Sequence, residues 1–121
     1  MICTTIEQSQ KLIKLGIDIN TADMCWCNEN DVITVPYIDS LIQYCPSWSL
    51  SALLELIPPY LGEFNEGIDF GLGKAMNGKW YSAYYLQSVN EYIKPVKTTI
   101  GETAVDACVE MVVWLKGNNK I

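Results

Sequence analysis

The chain has 121 residues, half of them apolar, and neither histidine nor arginine occurs in it. The missing histidine excludes Ser-His-Asp and Cys-His mechanisms and takes away the commonest metal ligand. The missing arginine removes the usual bidentate grip on phosphate and the usual reader of guanine. Eight lysines against fourteen acidic residues give a net charge of -6, a balance that opposes binding to nucleic acid or to an anionic membrane surface. This length fits one α+β domain over residues 1–121, with enough apolar content for a packed core.

At the N-terminus, Thr4-Thr5-Ile6-Glu7 matches a capping box in which a threonine oxygen caps a free amide and Glu7 reaches back three residues. Ile6, Leu12, Ile13, Leu15 and Ile17 then mark one apolar side, and Gly16 suits a C-cap, so a helix is expected over roughly residues 5–15. Neither a basic leader nor an apolar run long enough for a bilayer is present, so the expected compartment is cytoplasmic. Asp18 to Asp23 reads as a turn or a short helical segment. Asp31 to Tyr37 is rich in β-branched residues and reads as a strand that Pro36 ends or places at a sheet edge.

Leu50, Leu53, Leu54 and Ile57 fall at i, i+3, i+4 and i+7, which predicts a short helix capped by Ser47 or Ser49 and stopped by Pro58-Pro59. Asn77-Gly78 between Ile68–Met76 and Lys79–Gln87 predicts a β-hairpin with a two-residue type I′ turn. That turn pairs Met76 with Lys79 and Ala75 with Trp80. It sets Tyr84, Ser82 and Trp80 opposite Gly71, Gly73 and Ala75, and leaves Ile68, Phe70, Leu72, Met76, Tyr81, Ala83 and Tyr85 on the other face. Residues 102–116 predict a last helix, apolar all round apart from Glu102, Asp106 and Glu110 spaced by four. The expected architecture is a small antiparallel sheet with a central hairpin turning at Asn77-Gly78, packed against about three helices.

Three segments carry a resemblance. They are Thr5-Ile6-Glu7-Gln8-Ser9 through Thr21-Ala22-Asp23-Met24-Cys25-Trp26, then Pro46-Ser47-Trp48-Ser49-Leu50 through Leu56-Ile57-Pro58, then Asp106-Ala107-Cys108-Val109-Glu110-Met111 through Trp114-Leu115. In these the chain resembles a group of small proteins of gut Bacteroides and their prophages, phages and mobile elements, a group with no established activity. The resemblance implies a bacterial or phage setting and carries over no catalytic residue.

Five cysteines, Cys3, Cys25, Cys27, Cys45 and Cys108, read as reduced thiols, with Cys108 in the core. Cys25-Trp26-Cys27 is C-x-C and lacks the C-x-x-C spacing of zinc and redox sites. With Cys3 and Cys45 it supplies four thiolates only if the fold gathers them, so separate thiols near a buried Trp26 are expected, with no metal and no cofactor. The acidic stripe is oxygen chemistry fit for a divalent ion or a lysine-rich partner; a solvated helix face explains it as well.

Trp80 and Tyr84 over Gly71 and Gly73 form either an aromatic platform for a partner or a face covered by the fold itself. Trp48, in the aromatic segment before the second helix, is either a hydrophobic staple or an interface anchor. No spacing supports a lone lysine or cysteine nucleophile. The expectation is therefore a non-catalytic, cytoplasmic interaction or accessory protein whose partner is another protein or a second copy of itself. The candidate surface is Trp80, Tyr84, Gly71, Gly73 and Trp48. The alternative is a small-ligand or metal-binding domain using the cysteines or the acidic stripe.

Overall fold

The computed structural model describes residues 2–28, 30–34, 45–62, 67–87 and 93–121. Its elements are α1 (Ile6–Lys14), a 3-10 turn (Ile19–Thr21), β1 (Met24–Trp26), β2 (Val32–Thr34), β3 (Cys45–Ser47), α2 (Leu50–Leu56), β4 (Tyr60–Leu61), β5 (Ile68–Lys74), β6 (Trp80–Gln87), β7 (Ile93–Gly101) and α3 (Ala104–Gly117). The fold is α+β, with helices beside two antiparallel sheets, one ordered β2-β1-β3 and the other β4-β5-β6-β7. Among the described residues no helix is long and apolar enough to cross a membrane.

Helix α1 starts one residue later than the capping box read from Thr4 and Glu7. Thr5 is the cap: its Oγ1 accepts from Gln8 N–H at 3.1 Å, and Gln8 Oε1 accepts from Thr5 N–H at 2.9 Å. Thr4 is diverted inward. It is fully buried, its hydroxyl lies 2.7 Å from that of Ser9 and accepts from Trp48 N–H, and its carbonyl accepts from the Trp26 indole. At the other end, Gly16 N–H reaches the Ile13 carbonyl and Ile17 N–H the Leu12 carbonyl. This is the paired closure of a Schellman ending, with Gly16 at φ +93 as expected of a C-cap glycine.

The short sheet was visible only in part. β2 realises the start of the strand expected from Asp31, and it is an edge strand; residues 35–37 lie outside the described residues. β1 and β3 were not expected. Pro46 sits in β3, the opposite edge, where a missing N–H costs no interior ladder bond. Ser49 caps α2 by accepting from Ala52 N–H. The buried face of α2 is Ala52, Leu53 and Ile57, and Leu54 turns outward. Trp48 and Leu53, at the two staple positions, are both fully buried in one core cluster.

The hairpin exists but its register differs from the expected one. Lys74 pairs with Trp80, Gly73 with Tyr81, Leu72 with Ser82 and Phe70 with Tyr84. Ala75 N–H donates to the Lys79 carbonyl and Gly78 N–H to the Ala75 carbonyl, so Met76-Asn77-Gly78 is a three-residue loop. A type I′ turn needs positive φ at both central residues. Here Gly78 has φ +85, and Asn77 is not among the residues at positive φ. Asn77 instead accepts from Lys79 N–H through its side chain.

One extra loop residue exchanges the two faces of β6 relative to β5. The inner face, toward α3, holds Ile68, Phe70, Leu72, Ser82 and Tyr84; the outer holds Gly71, Gly73, Tyr81, Ala83 and Tyr85. The packing reason is plain: this register sets the fully buried ring of Tyr84 beside the apolar alternation of β5, with Phe70 and Tyr84 edge to face at 5.4 Å.

Helix α3 lies over β6 and β7 and backs onto α2. Val105, Ala107, Cys108, Val109, Met111, Val112 and Leu115 are all buried, so the apolar circumference is as expected; of the expected stripe only Asp106 and Glu110 lie on the helix, because Thr103 caps it and Glu102 precedes the cap. One cluster joins these side chains to Leu12, Ile17, Trp48, Leu53, Ile57, Leu61 and Tyr84. It draws on nearly the whole length of the described chain.

Candidate functional site

The candidate platform of Trp80 and Tyr84 over Gly71 and Gly73 is not assembled. Tyr84 is fully buried and donates to the Pro58 carbonyl at 2.6 Å, and burial pushes its phenol far above the ordinary range. Trp48 is also fully buried, its indole donating to Thr21 Oγ1 at 2.9 Å. Trp80 is half-buried, with the Lys74 ammonium 5.9 Å from its ring. The rings over the bare backbone are Tyr85 above Gly71 and Tyr81 above Gly73. They are half-buried on the outer face, a consequence of the hairpin register. Burial raises the Tyr85 phenol, and the charge and hydroxyl of Tyr81 raise it further.

The cysteines are all free. Cys3, Cys25, Cys45 and Cys108 are buried and Cys27 is half-buried. Among the described residues no three His, Cys, Asp or Glu side chains are grouped to hold a metal ion. Burial pushes the Cys3 and Cys45 thiols up, and it pushes Cys108 up to about 11. Protonated, water-excluded thiols are poor nucleophiles.

What the fold does assemble is an open groove of about 590 Å³ beside β7. One wall is the strand from Lys97 to Gly101. The other is the acidic stripe of α3, represented by Asp106 and Glu110, with Gln8 of α1 beside it. Lys79 and Glu102 complete the lining and lie 3.5 Å apart, an exposed pair of little energetic weight.

Two features hold these walls together. Thr99 Oγ1 donates to the Ala107 carbonyl at 2.7 Å and lies 2.6 Å from Ser82 Oγ, which also reaches that carbonyl. This stitches helix to sheet through buried hydroxyls. Gly101 permits the close approach, since a Cβ there would lie 2.6 Å from Ala107 N and from Asp106 Cβ.

Gln8 serves twice. Its carbonyl oxygen completes the α1 cap, and its Nε2 donates to Asp106 Oδ1 at 2.8 Å, tying the first helix to the last. Lys97 lies 6.0 Å from the Trp114 ring. Glu110 has no hydrogen-bond or ionic partner among the described residues.

β7 is the terminal strand of its sheet, and the edge facing away from β6 takes no hydrogen bond from any described residue. Such an edge offers a row of free N–H and C=O groups. Its two halves differ. Between Tyr84 and Tyr85 the register jumps, leaving Val96 as the extra residue beside Pro95. Proline and a bulge both blunt an edge against further pairing. The half from Lys97 to Gly101, which lines the groove, has neither.

The sequence reading named the acidic stripe but missed Gln8, Lys97, Thr98, Thr99 and Ile100. The β-branched run Val96, Thr98, Thr99, Ile100 was the available signal for a strand there. No family model, curated protein or solved structure matches the chain.

Proposed function

We propose that this chain is a non-catalytic interaction module that takes up an extended segment of a protein partner along the groove-lining half of β7. One observation carries the reading: a strand edge with neither proline nor bulge, unpaired among the described residues, forms the wall of a groove. Adding a strand to an open edge is a recurring mode of peptide recognition, in which main-chain hydrogen bonds supply affinity and side-chain pockets supply selectivity. The groove lining holds carboxylates, ammoniums, hydroxyls and an amide, and no thiol. With no imidazole in the chain, general acid–base chemistry near neutral pH has no ready residue.

The setting we propose is the cytoplasm of a bacterium, as an accessory protein of the host or its mobile DNA. The five unpaired thiols support that placement.

Selection of linear peptides from a random library against the purified chain tests the reading. Selected peptides are expected to shift the amide resonances of residues 97–101, with smaller effects at Gln8 and Glu110. Peptides that map to another surface, or a library that yields no binder, would overturn it.

A further inference from the structure

The groove also specifies the chemistry of its occupant, an inference that rests on reading β7 as a recognition edge. We infer that the occupant is an extended segment alternating lysine or arginine with β-branched residues, added antiparallel or parallel to β7 as a fifth strand. The argument is one of faces. Side chains of a strand laid beside β7 alternate between the α3 side of the sheet and the outer side. On the α3 side they meet Asp106 and Glu110. Two lysines also line the groove, Lys79 at 3.5 Å from Glu102 and Lys97 at 6.0 Å from the Trp114 ring, so three carboxylates there face two ammoniums. Among the described residues Glu110 has no ionic partner, and the molecule as a whole carries -6.

On the outer side the added strand lies beside Thr98 and Ile100, the latter 63% exposed. An apolar β-branched side chain there covers Ile100 and makes the cross-strand contact that a sheet favours. The backbone supplies attachment, the carboxylates select the cationic face, and Ile100 selects the apolar one.

A second copy of the chain is a poorer occupant. Antiparallel pairing of β7 with itself places a two-fold axis through the sheet, so both α3 helices lie on the same side of it. Each acidic stripe then faces the other across the junction, and like charge meets like.

The test uses two short peptides, one alternating lysine with valine and one alternating glutamate with valine. Hydrogen exchange at β7 amides reports pairing, and titration gives affinity. Both are measured on the whole chain and on Glu110→Lys, whose exposed side chain has no partner to lose among the described residues. The lysine peptide is expected to slow exchange at residues 97–101 while the glutamate peptide does not. Glu110→Lys should weaken the lysine peptide roughly five- to tenfold.

Equal protection by both peptides, unchanged in Glu110→Lys, overturns the cationic assignment while the edge reading stands. No protection at β7 by either peptide overturns both. Concentration-dependent protection of β7 without any peptide, with elution as a dimer, overturns the inference in favour of self-pairing.

Discussion

Gly101 sets how closely α3 can lie on the sheet, and its replacement separates two kinds of crowding. A methyl group there meets backbone, Ala107 N at 2.6 Å, which cannot swing aside. At Gly73 the nearest atom is the Tyr81 hydroxyl at 2.5 Å, the far end of a ring that can rotate away. Gly101→Ala is expected to cost on the order of 1–3 kcal/mol in urea unfolding, and Gly73→Ala distinctly less.

Cys108 gives a pH signature of its own. Its thiol is fully buried, and desolvation raises its pKa from 9.0 to about 11. The folded state thus holds this proton more tightly than the unfolded chain. The resulting stability is complete below about pH 9 and falls as the pH climbs toward 11, at about 1.4 kcal/mol per pH unit while only the unfolded thiol ionises. Urea midpoints of wild type and Cys108→Ala across that range should converge in slope below pH 9 and differ above it. Parallel profiles would show that Cys108 is not the group responsible.

At this scale the sequence was legible where one side chain acts alone, as with Gly16 and Ser49. It misled where two neighbours compete. Thr4 and Thr5 are both chemically able to cap α1, and the buried contacts of Thr4 with Ser9, Trp48 and Trp26 decide between them. Those contacts are tertiary and cannot be seen from the four-residue motif.

Among the elements, α3 was read almost in full, because its sequence admits one arrangement: an apolar cylinder with a single polar stripe. Val112→Ala is expected to cost roughly 1–3 kcal/mol through lost burial and a residual cavity. Glu110→Gln, on the exposed stripe, is expected to change stability by well under about 0.5 kcal/mol. Both are measured by thermal or denaturant unfolding, and the reverse order would mean that the stripe faces inward.

The hairpin was legible in position and illegible in parity. Asn-Gly fits both a two-residue loop and the last two places of a three-residue loop, and local preference separates them weakly. The choice falls to the inner face, where Tyr84 must join Phe70 and Trp114. Gly78 keeps its left-handed backbone in either case, so Gly78→Val should destabilise the fold by roughly 1 kcal/mol or more. β7 and the groove escaped the reading because an edge strand buries only part of itself, and so its pattern lacks a clean alternation.

For the whole molecule the decisive contacts are long-range. Gln8 and Asp106 are 98 residues apart in sequence and 2.8 Å apart in space, and the core cluster runs from Leu12 to Leu115. A double-mutant cycle on Gln8→Ala and Asp106→Ala should show a coupling of about 0.5–2 kcal/mol in unfolding free energy. Strict additivity would mean that the two helices are docked by apolar contact alone.

The placement of α3 has a consequence for synthesis. A chain emerging from the ribosome displays α1, α2 and the inner face of the hairpin before the helix that covers them has been made. Until Val105 to Leu115 arrive, Leu12, Trp48, Leu53 and Tyr84 lack a large part of the surface against which they pack. Non-local closure of this kind slows folding and leaves apolar surface and a strand edge open while translation proceeds. The nascent chain therefore keeps part of this apolar surface open to water until the last helix is made.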